Sequence, residues 1–202
     1  MALNFANNNS LSAITSLPAS ISGGGMTLIS TQTASSSSTI SFTSGIDSTY
    51  DEYVFKFYDI HPSSNTVNFQ INASTDGGSN YNATKTTTYF LAYHTESDSG
   101  SALQYYANRD LAQSTSAQQI VTIGNANDDS ASGTLTLYNP SSDTFVKHFI
   151  SRQQAPTGEA TQNCKDTYVA GYFNTISAIN AVQFSMSSGN IDSGVIKLYG
   201  VS

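Results

Sequence analysis

The segment "VNFQINASTDGG" (Val67–Gly78) decides the fold class of this chain. Its first seven residues alternate strictly, so that Val67, Phe69, Ile71 and Ala73 share one side and the Asn and Gln side chains share the other. Such alternation is typical of a β-strand with one face in a core. Because Asp-Gly-Gly after a strand is a strong turn signal, the segment predicts a half-buried strand that ends in a tight turn.

Similar short segments lie on both sides of this strand, separated by turn residues. They are residues 27–31, 39–44, 52–60, 87–94, 118–124, 133–140, 144–151, 167–174, 181–187 and 194–201. About ten strands at a spacing of roughly 8–12 residues are typical of a sandwich or barrel, and no long helical period interrupts them. We predict an all-β protein, a two-sheet antiparallel β-sandwich of jelly-roll type with an extended N-terminal arm.

Two segments are harder to assign. Residues 101–114 fit either a short helix or a strand followed by a loop. Residues 154–166 are polar and contain proline and glycine, so we interpret them as a long loop.

The chain ends in "GNIDSGVIKLYGVS", which predicts a turn followed by a strand. The turn is expected at Asn190–Gly194, and the strand Val195–Tyr199 is expected to pair beside Ala181–Ser187. Its two apolar side chains, Ile196 and Leu198, would then lie in the core. On this interpretation the C-terminal strand closes a sheet and carries no chemistry.

Composition excludes several classes of partner. Charged residues make up 10% of the 202 residues, against about 25% in an average domain. Seven Lys and Arg against 14 Asp and Glu cannot form the basic surface of a nucleic-acid binder or a cationic membrane-binding face. The single cysteine, Cys164, allows no intrachain disulfide, which fits assembly in a reducing cytoplasm. The chain shows neither a secretory signal nor a stretch of about 20 apolar residues, so we expect no membrane span.

We predict two parts, an arm at residues 1–25 and a sandwich domain at residues 26–202. The arm is rich in Asn and Ser and ends in "SGGG", which indicates a hinge or linker. A disordered tail is the alternative, but the spaced apolar side chains favour an arm that docks on a neighbour. These candidate interaction residues are Leu3, Phe5, Leu11, Ile14, Leu17 and Ile21.

The residues that could carry chemistry form no recognised pattern. None of His61, His94 and His148 has a second histidine at the spacing of a zinc motif, and alternation places His148 beside Val146 and Ile150 as a packed core or interface residue. We therefore predict no metal, no cofactor and no catalytic residue, and we expect that the protein is not an enzyme.

Acidic and thiol side chains have simple structural interpretations. Asp76, Asp98, Asp128 and Asp129 lie in loops without the spacing of a calcium-binding loop, so we interpret them as solvated turn residues. Cys164 lies in a polar segment and is expected to be a plain surface thiol.

Tyrosines are abundant, with 12 Tyr and no Trp in the chain. Tyr81, Tyr105, Tyr106 and Tyr138 are candidates for exposure. Sugar-binding platforms and protein interfaces both use tyrosine, and the lack of tryptophan favours an interface. Tyr105 and Tyr106 join the arm residues as candidate interaction residues.

Several segments together resemble small virion proteins of tailed bacteriophages, especially marine and cyanobacterial phages. They are "STYDEYVFKFYDIHP", "STDGGSNYN", "LYNPSSDTFVKHF" and "VAGYFNTISAINAVQFSMSSGNIDSGVIKLYG". The resemblance covers most of residues 27–201 and is sharpest in the C-terminal "SSGNI-SG-I-LYG". It implies a non-enzymatic component of the virion, assembled in the host cytoplasm.

The resemblance leaves the particular component open. A capsid decoration (cement) protein, held by the arm, is ranked first because one compact sandwich with one arm suits repeated attachment to a shell. A tail-appendage subunit of a fibre or baseplate and a module binding host surface glycans are the alternatives. The expected partners are the major capsid protein or tail proteins of the same phage and further copies of this chain, with no nucleic acid and no membrane.

Overall fold

The computed structural model describes residues 25–157 and 163–201, and regular structure in this part of the chain is almost entirely β-strand. Its strands form two antiparallel sheets that pack face to face around a shared apolar core. The predicted all-β, two-sheet antiparallel β-sandwich is therefore confirmed. The jelly-roll subtype stays a prediction, and the predicted arm lies outside the described residues except for Gly25.

The described residues contain twelve strands. They are β1 (Met26–Thr33), β2 (Thr39–Phe42), β3 (Glu52–Pro62), β4 (Val67–Ser74), β5 (Lys85–Thr95), β6 (Ser101–Tyr105), β7 (Gln118–Ile123), β8 (Ala131–Tyr138), β9 (Lys147–Thr157), β10 (Asn163–Phe173), β11 (Ala181–Met186) and β12 (Ile191–Val201). The large sheet has the order β1-β12-β3-β8-β9-β10-β5-β6, and the small sheet has the order β2-β11-β4-β7.

Alternation correctly predicts which side chains face the core in the central strands. Val67, Phe69, Ile71 and Ala73 of β4 are all buried, as the sequence predicts. In the large sheet, Ile196 and Leu198 of β12 are completely buried. The two sheets therefore bury the faces that their sequences mark as apolar.

Phenylalanines from both sheets meet at the centre of the sandwich. The ring of Phe184, on β11, lies 5.1 Å from that of Phe57 and 5.2 Å from that of Phe55, both on β3. Phe69 of β4 and Phe42 of β2 complete the cluster at 5.6 and 6.3 Å from Phe184. Most of these pairs meet edge to face, the arrangement that the ring quadrupole favours.

The C-terminal strand pairs with other strands than the sequence predicts. β12 lies between β1 and β3 in the large sheet, whereas β11 pairs with β2 and β4 in the small sheet. The predicted pairing of Val195–Tyr199 with Ala181–Ser187 is wrong, because the connection crosses from one sheet to the other. The predicted turn is also misplaced, since β12 already begins at Ile191.

The crossing between the sheets depends on Gly189. Its φ of +71° is a conformation that side chains with a Cβ rarely adopt. A Cβ at this position would lie 2.4 Å from Ser64 Oγ, so the turn has no space for one. The next residue, Asn190, donates its N–H to Ser63 Oγ at 2.8 Å and ties the turn to the small loop after β3.

The segment 154–166, predicted as a loop, is mostly strand. β9 continues to Thr157 and β10 begins at Asn163, and the two strands stay in register along this length. In the part of β9 that follows Phe149, the inward residues are Ser151, Gln153 and Ala155, which are buried but not strongly apolar. Their polar character hides the alternation from a search for apolar residues.

The uncertain segment 101–114 resolves into a strand and a turn. β6 (Ser101–Tyr105) pairs with β5, and a single 3-10 turn follows at Ala107–Arg109. The chain then returns along β5, where Leu111 and Ser114 accept N–H groups of Thr87 and Lys85 through their carbonyl oxygens.

Candidate interaction surface

The outer face of the large sheet carries an exposed row of aromatic side chains. Strand register places Arg152 beside Tyr168, Tyr168 beside Phe90, and Phe90 beside Tyr105. We call these four side chains the outer row. Phe90 and Tyr105 are 37% and 62% exposed, so the row ends in open apolar surface at the sheet edge.

The rings of the outer row stack on one another. The rings of Phe90 and Tyr168 are parallel within 3°, with centroids 4.9 Å apart. The Arg152 guanidinium lies over the opposite face of this pair, 5.0 Å from the Tyr168 centroid. Such a cation over an aromatic ring stabilises both side chains by about 0.5–1 kcal/mol at an exposed site.

A carboxylate holds the cationic end of the outer row in place. Asp166 accepts hydrogen bonds from Arg152 Nη2 at 2.6 Å and Nε at 3.0 Å, and from the Tyr168 hydroxyl at 3.0 Å. Hydrogen bonding from Arg152 lowers the pKa of Asp166 below its ordinary value. The group is therefore ionised and paired over the whole physiological range, and its geometry leaves no free charge for chemistry.

Stacking determines what this surface can contact. A sugar platform needs a free ring face, but the faces between Arg152, Tyr168 and Phe90 are already occupied. Exposed aromatic side chains whose faces stack on one another suit contact with apolar groups of another protein. The stack therefore favours an interface over a sugar platform at this point of the sheet.

An apolar groove runs beside the outer row. It has a volume of about 520 Å³, and Thr86, Thr88, His148, Ile150 and Tyr172 are among its lining residues. Ile150 is 52% exposed and lies beside Ala170, whose small side chain opens the groove between larger neighbours. A second depression shares His148 and contains the highly exposed Phe145.

The four candidate tyrosines differ in their surroundings. Tyr105 and Tyr138 are exposed, as the sequence suggests. Tyr106 is only partly exposed, because its ring packs against the core beside Tyr89 and under Arg109. Tyr81 is also only partly exposed. Of the two predicted interaction tyrosines, Tyr105 alone belongs to the outer surface, where its hydroxyl donates to the Asp110 carboxylate.

The three histidines lie in separate environments. His61 donates from Nδ1 to the Asp129 carbonyl oxygen at 2.6 Å, and His94 donates from Nε2 to Asp98 at 3.1 Å. His148 is exposed on the outer face. The prediction that it packs in the core is therefore wrong, and a place in an interface stays a prediction. Within residues 25–157 and 163–201, no three His, Cys, Asp or Glu side chains are grouped so that they could hold a metal ion.

The acidic loop residues are not all solvated. Asp76 is exposed and accepts hydrogen bonds from Ser74 and Asn80, which lower its pKa to about 2 and organise the turn after β4. Asp129, in contrast, is buried, and the interpretation as a solvated residue is wrong for it. Its Oδ2 accepts the Ala126 N–H at 3.3 Å, so the side chain closes its own loop.

Cys164 lies on β10 and not in a loop, because the predicted loop is part of a hairpin. Its thiol is exposed, as expected of a surface thiol, and Gln154 Nε2 lies 3.7 Å from the sulfur. The nearby depression around Gly133 and Thr134 also contains Arg152 and Asp166, which are already paired with each other.

Two buried lysines were not found from the sequence. Lys85 donates from Nζ to the Ser116 carbonyl oxygen at 2.7 Å, and burial lowers its pKa to about 8. Lys147 donates to the carbonyl oxygens of Phe145 and Thr175, both at 3.0 Å, and burial lowers its pKa as well. Both lysines lie beside Phe173 in the sheet. Their hydrogen bonds hold the loops that contain Ser116, Phe145 and Thr175 at one end of the sandwich.

A signal for these lysines exists in the alternation. Lys85 shares the parity of the buried Thr87 and Tyr89, and Lys147 shares that of Phe149. The position of each lysine in the alternation of its strand therefore indicates that its side chain points into the core. Lysine is nearly always exposed in folded proteins, and this general expectation outweighs the alternation when burial is predicted from the sequence.

The six predicted arm residues, Leu3, Phe5, Leu11, Ile14, Leu17 and Ile21, lie outside the described residues. No family model, no curated protein and no solved structure matches the chain. Among the described residues, no helix has the length and hydropathy to cross a bilayer.

Proposed function

We propose that this chain is a non-enzymatic structural component of a phage virion, a surface decoration (cement) protein attached to the capsid through its N-terminal arm. The observation that supports it most is the outer face of the large sheet, where Phe90, Ile150 and Tyr105 are exposed on a rigid scaffold. Large exposed apolar surfaces usually mark contacts with other proteins. The exposed surface indicates only that the chain contacts other proteins, and the sequence resemblance to phage virion proteins suggests that these are proteins of the virion.

In this proposal the N-terminal arm and the sandwich domain have different roles. The arm at residues 1–25 binds the shell, and the sandwich presents its outer face to neighbouring proteins. Repeated copies on a symmetric shell supply avidity, so that each arm contact can be weak. A low charge content reduces the cost of removing water from such contacts.

Deletion of residues 1–25 tests the attachment. The truncated chain is expected to stay folded, with an unchanged far-ultraviolet circular dichroism spectrum, but to be absent from purified particles. A full-length chain in which Leu11 and Ile14 alone are changed to Ser provides a milder variant that keeps the length. Normal incorporation of the truncated chain would contradict anchoring by the arm.

Copy number separates the capsid role from the tail-appendage alternative. Hundreds of copies per particle are expected for decoration of a shell, and a few or a few dozen for a fibre or baseplate. Quantitative mass spectrometry of purified particles, normalised to the major capsid protein, measures this number directly.

A host-glycan-binding module is the second candidate, and the groove beside Tyr172 favours it. The groove combines an aromatic ring with the hydroxyls of Thr86 and Thr88, residue types that can contact a sugar ring and its hydroxyl groups. A glycan array with the full chain and with Tyr172→Ala tests it. Binding that the Tyr172→Ala variant loses would support this candidate, and no binding by the full chain would count against it.

A further inference from the structure

β6 is the last strand of the eight-stranded sheet, and among residues 25–157 and 163–201 only β5 pairs with it as a strand. The ladder with β5 is anchored at its two ends, where Thr95 N–H bonds to Gly100 O at 2.9 Å and Tyr106 N–H bonds to Tyr89 O at 3.1 Å. In an antiparallel ladder the main-chain groups of successive residues point alternately to the two neighbouring strands. The N–H and C=O groups of Ser101, Leu103 and Tyr105 therefore point away from β5.

Nothing in the sequence of β6 protects this edge. Natural edge strands are usually blunted by charged residues, proline or a bulge. β6 reads Ser-Ala-Leu-Gln-Tyr, without charge or proline, and its register with β5 has no shift. Leu103 is 73% exposed, more than any other large hydrophobic residue among those described.

The opposite edge of the same sheet is different. β1 is also uncharged, but its register with β12 shifts between Leu28 and Ser30. Such a bulge twists an edge and interrupts the regular spacing that a further strand needs. Of the two edges of the large sheet, β6 is therefore the regular one.

We propose that β6 pairs antiparallel with β6 of a second copy, around a two-fold axis at Leu103. In this register Leu103 lies opposite its counterpart, and Ser101 lies opposite Tyr105 of the other copy. All outward residues then fall in hydrogen-bonded pairs, so each outward N–H meets a carbonyl oxygen. The two eight-stranded sheets become one continuous sheet.

The edge favours a second copy as its occupant because the pairing opposes no like charges. Only Ser, Ala, Leu, Gln and Tyr side chains face one another across the axis. Leu103 and Tyr105 share the outer face with Ala92 and Phe90, so self-pairing also joins the outer rows of the two copies. A two-fold contact closes on itself, whereas pairing of β6 with β1 of another copy would continue into an open chain.

Mass measurement on the purified full-length chain tests the pairing. We expect light scattering after size exclusion to give twice the 21.4 kDa mass of the chain for the wild type. Leu103→Arg places two like charges opposite each other at the axis and is expected to give the mass of one chain. Leu28→Arg, at an exposed position on β1, is the matched control and should keep the doubled mass. A wild type of single mass up to 100 µM, or a Leu28→Arg variant that loses the doubled mass, would overturn the proposal.

A proline pair separates loss of pairing from loss of folding. The N–H of Leu103 points outward, so Leu103→Pro removes a donor to the second copy and none within the chain. The N–H of Gln104 points to β5, so Gln104→Pro removes a bond of the ladder and should lower the melting temperature. We expect Leu103→Pro to keep the wild-type spectrum but to have single mass, and a doubled mass would contradict self-pairing at this edge.

This interface does not depend on the virion role. The masses are measured without particles, whereas the arm deletion is scored on particles. A negative result for β6 pairing would therefore not contradict the virion role, and a negative result for arm attachment would not contradict the pairing.

Discussion

The two halves of the eight-stranded sheet bury different kinds of side chain. The half with β12, β3 and β8 packs phenylalanine and leucine against Phe184 of the small sheet. The half with β9, β10 and β5 buries polar groups, among them Lys85, Gln153 and Thr167. The second half also buries apolar side chains such as Phe149 and Phe173, but unlike the first half it adds buried polar groups, whose stability depends on hydrogen bonds and protonation. The shared core therefore has an entirely apolar part and a part that contains buried polar groups, and the two parts should respond to different perturbations.

Phe184→Ala gives the largest expected effect because it removes the central ring of the aromatic half. Phe184 is completely buried and contacts rings from β2, β3 and β4. Loss of a buried phenylalanine typically lowers the free energy of unfolding by about 3–5 kcal/mol. Urea unfolding of the purified chain measures this change.

Phe145→Ala is the matched control for that experiment. Phe145 is 69% exposed, so the same substitution should change the free energy of unfolding by less than about 0.5 kcal/mol. Similar losses for the two variants would mean that the aromatic cluster does not dominate this half of the core.

Lys85 should make the polar half sensitive to pH. Its pKa is about 8 in the folded chain, against an ordinary value of 10.5 in the unfolded chain. Between these pH values the unfolded chain binds more protons, so the free energy of unfolding rises with pH. We expect a gain of about 2 kcal/mol between pH 7 and pH 10, below the roughly 3 kcal/mol of the full shift.

Lys85→Met isolates this effect, because methionine has a similar length and no charge. Its gain in stability between pH 7 and pH 10 should be clearly smaller than that of the wild type. The gain should not vanish, since burial also lowers the pKa of Lys147. Equal gains in the two proteins, measured by urea unfolding at each pH, would show that Lys85 does not titrate in this window.

Thr87→Val tests the hydrogen bonds of the polar half. The Thr87 hydroxyl donates to Gln118 Oε1 and accepts the Leu111 N–H at 2.9 Å. Valine has the same shape but leaves both partners unpaired, so the free energy of unfolding should fall by about 1–3 kcal/mol. A change below about 0.5 kcal/mol would mean that these bonds contribute nothing net.

The same division explains what the sequence predicts well. β4 of the small sheet, which packs against the aromatic half, alternates between apolar and polar residues, and its inward face follows directly from the sequence. The sequence predicts the parts of β9 and β10 up to Ser151 and from Thr167, but it predicts a loop at residues 154–166, because the inward Gln153 carries no apolar signal and Ala155 only a weak one. Tertiary hydrogen bonds, which no local pattern reports, decide the burial of such residues.

The candidate surface was only partly predictable for a related reason. Tyr105 is recognisable as an exposed aromatic residue, but the outer row also needs the pairing of β5 with β10, which joins two strand pairs that are distant in sequence. Likewise, the C-terminal sequence predicts a strand at β12 and its buried Ile196 and Leu198, but not its sheet. Strand pairing is non-local, so local alternation cannot determine it.

Thr167→Val gives the smallest expected effect and is the sharpest test of the comparison. Thr167 is buried on the same sheet face as Thr87, but its hydroxyl has no hydrogen-bond partner among the described residues. Removing an unpaired buried hydroxyl should leave the free energy of unfolding unchanged or raise it by about 0.5–1 kcal/mol. The identical substitution at Thr87 should destabilise the protein. If Thr167→Val instead costs more than about 1 kcal/mol, its hydroxyl is hydrogen-bonded in solution, and the polar half is better satisfied than its side-chain contacts indicate.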